Sequence, residues 1–257
     1  MASNIHLFWE RIGLPEKKEI GLNDLPGILT KMAYTIPFEN LSVMDHQIDT
    51  ITKENLVKKI LVRKRGGLCY ELNPLLFYAL KDYISDVQLI SGTVCNPATQ
   101  EWSPTGETHV AILLAAGNKR YIVDNGFGIN LPLAPVPLDG EIISTGNGDF
   151  KIRKVKHSLY ELLVKRNSKD PEWKIGYSFH TGHEVGLDEL NAMQKTIVRH
   201  PQSPFNKSPL ISMLKSDGSI IMSGHSITYR SNGEVNKLEF PSSRFKMMAK
   251  EHFNLLL

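Results

Sequence analysis

Cysteine is scarce in this chain: its 257 residues include two, Cys69 and Cys95. They stand in unlike contexts, which argues against a disulfide framework and makes a reducing cytoplasm the expected compartment. Long apolar runs are missing as well. No uninterrupted stretch approaches the ~20 residues of a membrane span, and Met1–Glu10 lacks the basic-then-apolar order of a secretory leader. Excess charge of one sign is absent too. The net charge is +3, with no aromatic-interleaved basic patch, so neither nucleic acid nor membrane is an expected partner, whereas an anionic small molecule is compatible. There is no internal repeat and no low-complexity linker. What remains is the composition of an ordinary globular protein, 41% hydrophobic and 22% charged, long enough for one large domain or two to three small ones.

Residues 1–85 read as helical. Apolar residues recur at helical spacing over residues 4–12, 22–34 and 52–62, and again beyond Cys69; Asn23 or Asp24 is the candidate N-cap of the second helix. Pro74 falls inside the fourth and is expected to kink it. Over residues 86–186 the pattern changes to short alternating or β-branched runs, at 87–94, 109–114, 121–123, 141–144, 150–155, 160–165 and 173–179, which predict a barrel or strongly curved antiparallel sheet. Residues 187–198 return to helix with Asp188 as its cap. The rest, to residue 257, mixes strands at 219–222, 226–231 and 235–240 with a terminal helix near 243–253.

The run Arg65-Gly66-Gly67-Leu68-Cys69-Tyr70-Glu71 places a cysteine after two glycines and at the first turn of a helix. The glycines are expected to turn the chain sharply through positive φ. Unsatisfied N–H groups and the positive dipole end at that turn favour a thiolate. A base comes from the segment between His109 and Asp124, which reads as a hairpin. A two-residue Gly117-Asn118 turn pairs residues whose indices sum to 235, and a four-residue loop over 115–118 gives 233. Both sums are odd, so His109 and Asp124 share one face, with Cβ atoms roughly 5–8 Å apart. A carboxylate that accepts the His109 Nδ1–H would leave Nε2 free to take a proton. Cys69, His109 and Asp124 thus supply nucleophile, base and orienter for acyl transfer, with the N–H groups of the first helical turn facing the oxyanion. Water as second nucleophile would make a hydrolase or amidase; an amine would make a transferase.

The stretch from Arg65 to Asn73 resembles the nucleophile motif R-G-G-x-C-x-E-x-N of arylamine N-acetyltransferases. Pro37-Phe38-Glu39-Asn40, Thr105-Gly106-Glu107-Thr108-His109, Val123-Asp124-Asn125-Gly126-Phe127-Gly128 and the Pro201–Phe205 stretch resemble further segments of that family, in order, across nearly the whole chain. The resemblance implies an α+β, multi-domain chain: a helical N-terminal domain (1–85), an antiparallel β-barrel (86–186) and an α/β lid (187–257) around a papain-like Cys-His-Asp core. It implies a ping-pong reaction in which acetyl-CoA acetylates Cys69, CoA leaves, and a small arylamine, arylhydrazine or arylhydroxylamine takes the acetyl group. Thr105, Gly106, Gly126, Phe127, Gly128 and Ser203 fall where members of the family touch the acyl-CoA. Phe38, Thr108, Phe127 and Phe205 fall at the substrate pocket. Glu39 and Arg65 are expected to form a buried ion pair behind the Cys69 loop. Pro74, Asn125 and Gln202 depart from the pattern. No metal is implied: His180 and His183 lack a third ligand and read as a solvated loop, and Lys151, Arg153, Lys154 and Lys156 as a solvated sheet face.

Overall fold

The structure, a computed structural model, describes residues 5–166 and 172–257; Asn4, where the first helix is expected to begin, lies outside them. Helix α1 (Ile5–Ile12) buries Phe8, Trp9 and Ile12, and α2 (Leu25–Thr35) buries Leu25, Ile28, Leu29 and Met32 at helical spacing. Asp24 occupies the N-cap of α2 as expected, but its side chain makes no bond there: its Oδ2 accepts the Gly21 N–H at 2.9 Å, ahead of a 3₁₀ turn over Leu22–Asp24. After β1 (Phe38–Glu39) and the short α3 (Leu41–Met44), Thr52 caps α4 (Lys53–Leu56), which runs into a π-helical turn at Val57–Val62. Helix α5 (Cys69–Leu80) continues through Pro74 to Leu80. The proline removes one backbone donor, but nearly every residue of α5 is buried, and packing on all sides holds the helix together.

Eight antiparallel strands form the second layer: β2 (Val87–Val94), β3 (His109–Ala116), β4 (Lys119–Val123), β5 (Val136–Pro137), β6 (Ile143–Thr145), β7 (Gly148–Lys156), β8 (Leu159–Lys165) and β9 (Lys174–His180). Their order is β5-β4-β3-β2-β9-β8-β7-β6, and β5 approaches β7, so the sheet curls into a nearly closed barrel. Strand β3 is buried on both faces. Ala111 and Leu113 point into the barrel with Ile122, Phe150 and Tyr177, while Val110, Ile112 and Leu114 pack on α5 and its neighbours. That two-sided burial explains why β3 reads as a continuous apolar run.

The third layer contains α6 (Leu187–Arg199), a sheet of β10 (Leu210–Lys215), β11 (Gly218–Ser223), β12 (Ser226–Ser231) and β13 (Glu234–Glu239), and α7 (Phe245–Phe253). Gly186, not Asp188, occupies the N-cap of α6, and Glu189 reaches back to the Gly186 N–H at 2.9 Å. The sheet order β1-β10-β11-β12-β13 brings in a strand from the helical part, with Phe38 opposite Ser212. Strand β10 is not among the strands that alternation predicts: Ile211, Ser212, Met213 and Leu214 are all buried, so no polar face marks it. The chain is α+β, with a helical N-terminal domain, an antiparallel barrel and an α/β lid.

Candidate active site

Cys69 opens α5 behind two glycines, neither of which has positive φ. They are required for room instead. A Cβ on Gly66 would stand 2.0 Å from the Pro37 carbonyl oxygen, and one on Gly67 would stand 2.8 Å from Glu71 Oε2. The loop is then clamped by two ion pairs whose carboxylates are buried and whose cations are partly exposed. Arg65 Nε donates to Glu39 Oε1 at 3.3 Å, and Lys59 Nζ to Glu71 Oε1 at 2.6 Å. The second oxygen of each carboxylate accepts a backbone N–H, from Leu41 at 2.6 Å and Leu68 at 3.0 Å. Burial alone would lower the Lys59 pKa, but Glu71 and Glu39 outweigh it and raise it. A polar cavity of about 350 Å³ lies beside these pairs and does not reach the thiol.

Strands β3 and β4 pair with Ile112 opposite Val123, an index sum of 235. His109 and Asp124 therefore share a face, and His109 Nε2 meets Asp124 Oδ2 at 2.8 Å. This is the other ring nitrogen from the one expected, so Nδ1, on the Cβ side of the ring, is the nitrogen that Asp124 leaves free. The Cys69 Sγ lies 3.5 Å from the Thr108 carbonyl oxygen. Asp124 Oδ1 accepts from Asn73 Nδ2 and from the Gly126 N–H, both at 2.8 Å. Asn73 donates as well to the Val110 carbonyl at 2.6 Å and accepts the Asn125 N–H at 2.8 Å. Asn125 is turned away from the thiol, its carboxamide donating to the Leu29 carbonyl at 3.4 Å, so this departure from the motif does not alter the cavity wall.

Burial by itself would drive His109 to the neutral form. The Asp124 charge and hydrogen bond, with Cys69 adding to them, outweigh it and push the His109 pKa up to about 10. Burial likewise works to raise the Asp124 pKa, but His109, Asn73 and the Gly126 N–H hold it below the usual carboxylate range. Tyr177 packs its ring 4.4 Å from that of His109, and Phe127 lies 5.2 Å from it. Burial and the neighbouring Asp124 raise the Tyr177 pKa well above its ordinary value.

The thiol and imidazole open on a mainly apolar cavity of about 240 Å³. Of the residues singled out in the sequence, Phe38, Thr105, Thr108, Gly126, Phe127, Gly128 and Phe205 line it, whereas Gly106 and Ser203 do not. Ser203 is fully buried, with Oγ accepting the Phe205 N–H at 3.3 Å, and Gly106 forms a turn at φ +68°. Leu68, Tyr70 and Pro204, from the quoted motifs, and Val94, Ser103, Asn130 and Ile197 complete the lining; nothing local in the sequence marks the last four, because they meet only through tertiary packing. Asn73 did carry a signal, as the last position of the nucleophile motif. His180 and His183 do not converge: His183 pairs with Glu189 at 2.6 Å and His180 meets Ser158 at 3.4 Å. Lys151 stacks over Trp173 and Arg153 pairs with Glu161 on the barrel exterior. Among the described residues, no helix is long and apolar enough to cross a membrane.

The N-acetyltransferase family profile matches residues 21–257. The uncharacterised acetyltransferase YvcN of Bacillus subtilis is 40% identical over 248 residues, covering 95% of each chain. A crystal structure of a Bacillus cereus arylamine N-acetyltransferase, described as having a Cys-His-Glu catalytic triad, superposes with a TM-score of 0.93 at 40% identity over 100% of both chains. The Mycobacterium marinum arylamine N-acetyltransferase in complex with CoA shares the fold, with a TM-score of 0.86 over 98% of this chain and 93% of that one, at 22% identity. The chain belongs to the arylamine N-acetyltransferase family, a family of acyltransferase enzymes.

Proposed function

We propose that this protein moves an acetyl group from acetyl-CoA, through a thioester on Cys69, to an arylamine, arylhydrazine or arylhydroxylamine in a ping-pong cycle. The observation that carries the reading is the Cys69–His109–Asp124 line at the end of an apolar cavity walled by Phe38, Phe127 and Phe205. A raised His109 pKa supplies an imidazolium beside the thiol at neutral pH. The thiolate attacks the acetyl carbonyl carbon, and the oxyanion faces the N–H groups at the start of α5. CoA then leaves as its thiolate and takes the His109 proton. In the second half, the amine attacks the thioester, the now neutral His109 takes the amine proton, and Cys69 leaves as thiolate. Asp124 orients the ring throughout.

Thr105, Gly126, Phe127 and Gly128 would border the acyl arm of CoA, and Thr108 with the three phenylalanines would flank the acceptor ring; the CoA complex of the Mycobacterium marinum enzyme supports this choice of donor. Gly106 and Ser203 would act on the donor only from outside the cavity. The units 1–85, 86–186 and 187–257 would contribute nucleophile, base with orienter, and cavity cover. Both cysteines are free, which suits a reducing cytoplasm.

Intact mass after incubation with acetyl-CoA and no amine tests the reading. An acetyl adduct absent from Cys69→Ser is expected; no adduct on the wild type would sink it. Steady release of CoA without amine would favour the hydrolase that the same triad allows.

A further inference from the structure

Asn130 lines the catalytic cavity from a segment, residues 124–135, that has neither helix nor strand. Such a segment keeps its shape only where its polar groups are held. The holding groups come from the barrel. Asn147, in the turn between β6 and β7, donates both carboxamide hydrogens, to the Ile129 carbonyl at 2.8 Å and the Leu131 carbonyl at 2.9 Å. Arg166, which follows β8, donates from Nη1 to Asn130 Oδ1 at 3.0 Å and from Nη2 to Asn147 Oδ1 at 3.4 Å. One guanidinium thus grips the cavity-lining side chain and also the amide that holds the carbonyls on either side of it.

Among the described residues no ion pair includes Arg166, and burial, with Arg230 as a like charge nearby, lowers its pKa. Drawing a guanidinium out of water costs free energy that hydrogen bonds to two neutral amides return only in part. What the guanidinium offers instead is a rigid planar fork that fixes two acceptors at once. The segment it fixes carries Phe127, whose carbonyl accepts the Asn130 N–H at 3.0 Å and whose ring lies 5.2 Å from His109.

We propose that Arg166 is a positioning residue for acyl transfer: through Asn130 and Asn147 it sets where residues 127–131 stand, and so the width of cavity open to the acceptor ring. The inference rests on the acyl-transfer reading above. Arg166→Met keeps the side-chain length and removes the fork, and Arg166→Lys keeps the charge. For Arg166→Met the melting temperature stays at or above the wild-type value, and Cys69 acetylation by acetyl-CoA stays within about two-fold. The KM for a one-ring amine rises about ten-fold, and the kcat/KM ratio between one-ring and naphthyl amines shifts about five-fold or more. Hydrogen exchange in a peptide covering 127–131, measured without substrate, speeds about ten-fold. Arg166→Lys restores none of these, because an ammonium does not span both amides.

Unchanged exchange overturns the proposal. Faster exchange with wild-type KM and ratio also overturns it, as does a loss of acetylation in step with the melting temperature; both leave Arg166 a structural residue only. Rescue by Arg166→Lys would assign the effect to charge and overturn the fork. If the wild type takes no acetyl group, the acyl-transfer reading fails by itself, and the exchange measurement still decides whether Arg166 holds the segment.

Discussion

Gly126 and Gly128 are glycines for different reasons, and substitution separates them. A Cβ on Gly126 would stand 2.7 Å from Cys69 Cα and 3.0 Å from Cys69 Cβ, so Gly126→Ala forces the loop away from Cys69. A loss of about 1–3 kcal/mol is expected, with slower alkylation of Cys69 by iodoacetamide. Gly128 has open space around it but sits at φ +60°. Gly128→Ala is expected to lose roughly 1–2 kcal/mol through backbone strain alone, Gly128→Asn less, and neither changes the alkylation rate. Thermal melting combined with thiol labelling checks both. His109 makes a pH-dependent contribution of defined sign. Its folded pKa of about 10 lies above the ordinary value of 6.5, so the stabilisation is complete below pH 6.5 and is lost as pH rises through about 10. The urea midpoint of wild type minus that of His109→Gln should shrink over this window; a difference that grows with pH contradicts the assignment. Strand parity made the meeting of His109 with Asp124 legible in the sequence. The ring nitrogen used was not, because the rotamer is set by Cys69, Phe127 and Tyr177, which arrive from three other segments.

The helix that begins at Cys69 depends on groups that do not belong to it. Lys59 neutralises Glu71, and Glu71 in turn accepts the Leu68 N–H in front of the thiol. Lys59→Met leaves a buried carboxylate uncompensated and is expected to lose about 3–5 kcal/mol. Lys59→Met with Glu71→Gln should recover much of that, since the amide still offers an oxygen to Leu68 and carries no charge; denaturant melts of the three proteins decide. A double variant no more stable than Lys59→Met would remove the ion pair from this account. Periodicity made α5 legible, and its burial on nearly all sides keeps it helical through Pro74. Periodicity missed β10 because a central strand buried on both faces has no alternation to read, and β1 because two residues form no pattern.

The lid is bound into the molecule by its sheet. Asn40, beside β1, donates to the carbonyls of Phe205 at 2.9 Å and Ser208 at 2.8 Å, and its Oδ1 accepts the Leu210 N–H at 2.7 Å. These bonds are all buried or partly buried, so Asn40→Ala leaves three polar groups without partners and is expected to lose about 2–4 kcal/mol. Because β1 lies in the lid sheet, wild-type unfolding followed by far-UV circular dichroism and by tryptophan fluorescence should coincide in one transition; an early lid transition seen by circular dichroism alone would contradict this. The same pairing orders events in time. Asn40 and Phe205 are 165 residues apart, and such a contact cannot form until the ribosome has released most of the chain. The N-terminal helices with Cys69 are therefore made long before Phe205 and Ile197 exist to wall the thiol. The nascent chain carries the Cys69 thiol with part of the cavity still missing, and the wall that encloses it is completed among the last steps of synthesis.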